Sequence, residues 1–217
     1  MEPFIRPYQA EDFDATAHIC RATLPPSLSR SKDASFLAPY LWTHQYTHLS
    51  PGTCFVLDSG SGVAVGYCIG CPSVPDLVSA YPSYISGVLK PDVPPPEQAE
   101  KAEPWCLPGT QDVNPRALIQ QAYDVQKLLV NGRKEVIAKW KGTMHIDLLD
   151  AYQGKGWGKK LIEKFVEAVK GSGQNEGGVH IGIAGENGKV VKFYEKVGFK
   201  NIAGGEKSGT IWMVRDI

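Results

Sequence analysis

Residues 142–173 read GTMHIDLLDAYQGKGWGKKLIEKFVEAVKGSG, and within them the hydrophobic period changes from two to 3.6 across a glycine-rich turn. The alternating MHIDLL is a strand pattern. After the turn, Leu161, Ile162, Phe165, Val166 and Val169 fall on one helical face, and Gly171 marks the stop. Downstream, GGVHIGIAGENGKVVKFYEKVGFK (177–200) reads as strand, polar loop, short helix and glycine stop, and TIWMVRD (210–216) closes with another strand. Upstream, TCFVLDSGSGVAVGYCIG (53–70) gives two β-rich runs joined by a loop of about five residues, a hairpin. The order β-β-α-β-α-β over the last two thirds defines an α/β fold with a mixed sheet.

The flanking segments are less regular. FIRPYQAEDFDATAHICRATL (4–24) predicts a short strand followed by a helix that Pro25 and Pro26 end. Pro72, Pro75, Pro82, Pro91 and Pro94, Pro95 and Pro96 predict an insertion over about residues 72–113 with no long helix and no central strand. After it, NPRALIQQAYDVQKLL predicts a helix over 115–130, with Asn114 as N-cap and Pro115 in the first turn. At 217 residues the chain is expected to be a single domain, 1–217, carrying that insertion.

Charge excludes several classes of partner. Lys plus Arg and Asp plus Glu both total 23, so no global field draws the chain to nucleic acid or an acidic membrane. The opening MEPFIRPYQAEDFD has no basic n-region or apolar h-region, and no eighteen-residue apolar run occurs, which predicts a cytoplasmic protein. Five cysteines suit a reducing compartment better than a disulfide framework. Cys68 and Cys71 form a C-x-x-C inside a strand pattern, so their side chains point to opposite faces; buried thiols are expected there, and no metal site.

The chemistry concentrates in Gln153-Gly154-Lys155-Gly156-Trp157-Gly158, where a strand hands over to a helix. Backbone N–H groups of such a turn converge with a helix N-terminus to bind an anion, and Lys155, Lys159 and Lys160 add positive charge. The spacing is neither the G-x-G-x-x-G of dinucleotide folds nor the G-x-x-x-x-G-K-[ST] of nucleoside triphosphatases. Gln153-x-x-Gly156-x-Gly158 does resemble the Q/R-x-x-G-x-G/A motif of GNAT acetyltransferases, and Asn187 followed by Phe193-Tyr194-Glu195-Lys196-Val197-Gly198-Phe199 resembles their downstream element. A closer resemblance, from Cys54 onward, is to the acetyltransferase-like C-terminal domain of O-GlcNAcase enzymes and its free-standing relatives, carried by GYCIGCPSV, MHIDLL and FYEKVGF. Those eukaryotic domains often lack the glycine motif, which this chain keeps.

The resemblance implies a GNAT fold, with a mostly antiparallel sheet splayed at a cofactor slot and helices on its flanks. It implies acetyl-CoA as cosubstrate and N-acetylation of a primary amine, with glucosamine or another amino sugar foremost; a protein lysine acceptor and a sensor without turnover are the alternatives. It places the pyrophosphate on the turn, with Gln153, Gly154, Lys155, Gly156, Trp157, Gly158 and Lys159 as contacts. Pantetheine falls to the backbone of Leu148 and Leu149 and to Asn187, and Lys196 completes the cofactor set. Tyr194 matches the family's general acid, a packed aromatic being the alternative. Asp147 is the candidate base and His145, on the same strand face, the runner-up. Aromatic and acidic residues in and near the insertion, Asp76, Tyr84 and Trp105, together with His145, are the substrate candidates for a hydroxylated cationic amine. Dimerisation is common in that family, which makes a homodimer compatible with the resemblance.

Overall fold

The computed structural model describes residues 1–98, 101–204 and 209–217. Strands β1 (Phe4–Pro7), β2 (Phe55–Asp58), β3 (Ala64–Cys71) and β4 (Gly142–Leu148) pair antiparallel in that order. On the far side β5 (Val179–Ala184) pairs antiparallel with β7 (Thr210–Arg215), which also holds the short edge strand β6 (Lys200–Ile202). The two halves meet where β4 and β5 run parallel, and there only Gly142–Val179 and Thr143–His180 are paired before the strands part. The seven-stranded sheet is thus mixed, mostly antiparallel and splayed, as expected.

Helices cover both faces because each strand alternates apolar side chains. Helix α1 (Phe13–Ala22), α2 (Lys32–Trp42), α3 (His44–Leu49), α4 (Val74–Tyr84) and α5 (Pro115–Tyr123) pack over Tyr67, Ile69 and Cys71. Helix α6 (Trp157–Gly171) buries Leu161, Ile162, Phe165, Val166 and Val169 against Cys68, Met144, Ile181 and Met213 on the other face. Helix α7 (Val191–Lys196) follows β5. Cys68 and Cys71 do point to opposite faces, each fully buried with its thiol pushed up by desolvation. Among the described residues, no cluster of His, Cys, Asp or Glu is placed to hold a metal ion, and no helix is long and apolar enough to cross a membrane.

The proline-rich stretch corrects the sequence expectation. Residues 74–92 are helical throughout, as α4, a π-turn over Ile85–Leu89 and a last turn over Lys90–Asp92. Ser73 caps the start, its Oγ accepting from the Asp76 amide at 3.4 Å, and Pro75 lies in the first turn, where a missing N–H costs nothing. Pro82 lies within the helix and the wider π-turn follows directly. Burial of Tyr81 and Tyr84, whose hydroxyls donate to Ala122 O at 2.9 Å and Tyr40 O at 2.6 Å, offsets the proline penalty of about 3 kcal/mol. The predicted 115–130 helix is also interrupted: α5 ends at Tyr123, and Asp124 restarts the chain by accepting the Lys127 amide at 3.0 Å.

Gly70 lets β3, β4 and α6 approach: a Cβ there would meet Thr143 O and come within 2.8 Å of Phe165 Cε2. Gly70→Ala is expected to lower stability by about 3 kcal/mol, read as a lower urea midpoint with an unchanged slope. His180, at the last paired position before the fork, is buried, and desolvation lowers its pKa from 6.5 to about 4. The buried His44 is lowered the same way, to about 3. The unfolded chain therefore takes up protons that the folded one refuses as pH falls below 6.5, so stability present at pH 7 drains away toward pH 4. His180 contributes about 3 kcal/mol of that loss at full effect. Denaturant midpoints measured from pH 7 to pH 4.5 check this; a flat profile would contradict it.

Candidate active site

The fork creates the site. Strand geometry alternates backbone groups side to side, and the Leu149 amide donates to Val65 O at 3.0 Å on the β3 side. By that parity Ile146 and Leu148 turn their backbone groups toward the gap that β5 leaves, where no ladder partner meets them. The Leu148 carbonyl accepts the Gln153 side-chain amide at 2.8 Å, which ties the turn to the end of the strand. The backbone of Leu149, expected at a pantetheine arm, is engaged within the chain: its amide donates to Val65 and its carbonyl accepts the Tyr152 amide at 2.8 Å. Ile146, with the parity of Leu148, faces the gap.

The turn itself depends on glycine. Gly154 and Gly156 have φ of +71° and +81°, a region L side chains rarely adopt, and a Cβ on either would project into open space. Gly156 is the N-cap of α6 with no side-chain cap, so the first amides of a fifteen-residue helix are left for an external acceptor. Gly158 serves a different purpose: a Cβ there would sit 3.0 Å from Phe193 Cζ, so it permits the close approach of α6 and α7.

A cavity of about 600 Å³ joins these parts. Ile146, Asp147 and Leu148 of β4 line it, with Gln153, Gly154, Gly156, Gly158 and Lys159 from the turn and α6, and Asn187, Tyr194 and Lys196 from the segment after β5. Thr23, at the end of α1, lines it from the opposite face of the sheet. Lys189 and Phe193 also line it, and the sequence reading missed both, together with Thr23. Lys189 carries a local signal, a base two residues after Asn187; Thr23 carries none. Lys155 and Trp157 are not among the lining residues: Lys155 lies 5.9 Å from the Tyr152 ring and Lys160 sits 4.4 Å over Trp157, near β1.

Two titratable groups complete it. Tyr194 packs edge-on to Phe193 and Phe199, and its hydroxyl makes no hydrogen bond to another described residue. Burial pushes it well above the usual tyrosine range, with Cys68 and Asp147 adding to the shift, so it stays protonated. Asp147 accepts from the Tyr67 hydroxyl at 2.7 Å through Oδ2. His145 lies beside that pair and outside the cavity lining.

The remaining substrate candidates are not brought here. Tyr84 is fully buried in the α1–α5 core with its hydroxyl on Tyr40 O, Asp76 sits exposed in the first turn of α4, and Trp105 is exposed on the excursion. Their chemistry suited an amino sugar, but the core claims the first and the surface the others.

Comparison with known proteins agrees with this geometry. Residues 119–201 match the acetyltransferase (GNAT) domain family, a span holding every cavity residue except Thr23. The chain is similar over its full length to the crystal structure of SsHAT, at 28% identity and a TM-score of 0.81, with 98% of that chain covered. It shares its fold with yncA from Salmonella typhimurium with its cofactor acetyl-CoA, at 15% identity and a TM-score of 0.53, covering 100% of this chain and 94% of that one. The NatC complex bound to Gag peptide and CoA matches at 13% identity and a TM-score of 0.53, covering 100% and 99%. The fold is the GNAT fold, and the cavity lies, apart from Thr23, within the span that matches the acetyltransferase (GNAT) domain family.

Coenzyme A at 100 times its dissociation constant should stabilise the native protein by about 2.7 kcal/mol, seen as a raised melting temperature. In Gly156→Val, which fills the cradle, that rise should disappear. Gly132→Val is the control: it introduces the same backbone strain at φ +78° outside the cavity and should keep the rise.

Proposed function

We propose that the protein transfers the acetyl group of acetyl-CoA to the primary amine of a small molecule, an amino sugar such as glucosamine foremost. The carrying observation is that Asp147 and Tyr194 line one cavity with the glycine turn and Lys159, Lys189 and Lys196. The turn amides and these lysines suit a diphosphate-bearing coenzyme, and the gap-facing backbone of Ile146 and Leu148 suits an amide-rich arm. When bound, acetyl-CoA supplies an acetyl group activated as a thioester.

The residues divide the remaining work. An amine is unreactive until deprotonated, and Asp147 is the carboxylate in reach of an acceptor entering past Thr23. With 21% of its side chain exposed, Asp147 is open to an amine on a slender group. Tyr194 keeps its proton at neutral pH and can deliver it to the departing sulfur. The amino sugar rests on the resemblance to O-GlcNAcase-like domains, since the aromatic residues read as its platform lie elsewhere.

Release of coenzyme A, followed with a thiol reagent, should occur with glucosamine or its phosphate and be absent or weak with spermidine and a lysine peptide. Preference for the peptide would move the acceptor to protein lysine. Silence across the panel, with acetyl-CoA still raising the melting temperature, would indicate a sensor. Asp147→Asn should lower kcat at least about 100-fold while sparing coenzyme binding; an unchanged rate ends the assignment.

A further inference from the structure

Tyr67 has no role in the reading above, yet it joins Asp147 of the cavity lining to His145 in one polar cluster. It faces Asp147 across the β3–β4 ladder and is fully buried beneath α1. Its hydroxyl lies 2.7 Å from Asp147 Oδ2 and 3.1 Å from His145 Nδ1, and His145 Nε2 lies 3.5 Å from the same carboxylate oxygen.

The phenol has one proton, and Thr43 and Cys20 also approach its hydroxyl, though neither accepts as strongly as a carboxylate. The carboxylate can only accept and is the nearer and stronger acceptor, so the Tyr67 proton goes to Asp147 Oδ2. The hydroxyl oxygen then meets His145 Nδ1 with a lone pair, and the contact is a hydrogen bond only if Nδ1 carries the proton. The opposite tautomer would set a nitrogen lone pair against the phenol oxygen, and its Nε2–H would be too far from Oδ2 for a good bond. Neutral His145 is thereby held with Nδ1–H, and Nε2 presents a bare lone pair toward Oδ2 across a gap with no proton in it. Burial and the Asp147 charge both keep the Tyr67 proton in place. Cys20 of α1 and Tyr194 of α7 are the other titratable groups that sense Asp147, and both are pushed up by desolvation and stay neutral.

We propose that Tyr67 is a positioning residue that fixes the His145 tautomer, so that Asp147 Oδ2 in the cavity lining takes the proton of the substrate amine and His145 Nε2, beside it and outside that lining, relays it onward. This rests on the acetyltransferase reading and deepens it. The ammonium N–H bond breaks with its electron pair left on nitrogen, and the proton goes to Oδ2 and from there to Nε2. The nitrogen then bonds the acetyl carbon, and the C–S bond breaks with its electrons on sulfur. Tyr194 protonates the sulfur and recovers a proton from the new amide nitrogen. His145, with 32% of its side chain exposed, passes the captured proton to water.

Tyr67→Phe removes one oxygen and leaves the buried ring. It is expected to lower kcat by at least about tenfold, with an unchanged KM for acetyl-CoA and an unchanged rise in melting temperature on adding it. Nitrogen NMR of the His145 imidazole, assigned against His145→Gln, should find the proton on Nδ1 in the native protein and on Nε2 in Tyr67→Phe, where Nε2–H is free to turn toward Asp147. An Nε2–H tautomer in the native protein, or a Tyr67→Phe kcat within about twofold of native, overturns the proposal. The tautomer measurement needs no turnover. A native protein silent with every amine would therefore sink the acetyltransferase reading while the Tyr67 hydrogen bond is still decided.

Discussion

Everything functional here depends on two neighbouring strands being fastened at one end and released at the other. β4 and β5 share only two paired positions, and each then finds its partners on its outer side, β4 with β3 and β5 with β7. A sheet opened this way would unzip unless its root were held. Buried Asn175 holds it, donating to Pro72 O at 2.9 Å and Gly178 O at 2.7 Å while its carbonyl accepts the Gly177 and Gly178 amides at 3.0 Å. His180 adds a bond from Nδ1 to Trp140 O at 2.6 Å. With the root fixed, backbone polarity that a closed sheet would consume faces the gap at Ile146 and at the Leu148 amide, the Leu148 carbonyl being held by Gln153.

Charge is organised by the same opening. The chain carries no net charge, but the cavity lining holds Lys159, Lys189 and Lys196, the turn with its uncapped helix start, and one carboxylate, Asp147. On the proposed function, the cations would suit an anionic coenzyme and the carboxylate a cationic amine. A neutral overall balance says nothing about how charge is distributed within one cavity.

Legibility in the sequence followed the range of the interactions. The β4–turn–α6 unit was readable because strand parity, glycine and helical spacing are all local, and Asp147 and Tyr194 followed from the resemblance. The helical course of residues 74–92 was not, because each proline announces its penalty locally whereas the compensation comes from Ala122 and Tyr40, 41 and 44 residues away. Tyr84 shows the same limit: nothing in its neighbours distinguishes a core tyrosine from one lining a substrate site. That the backbone of Leu149 turns toward β3 was not legible either, because parity is known only once the partner of one amide is known. Thr23 and Tyr67 have no local mark at all; both enter the site through tertiary packing.

The two left-handed glycines of the turn touch nothing, whereas Gly70 is wedged between strand and helix. Shaping the turn and packing the sheet are therefore assigned to different residues. A lineage relieved of selection for catalysis can replace Gly154 or Gly156 and inherit an intact scaffold, ready for another use.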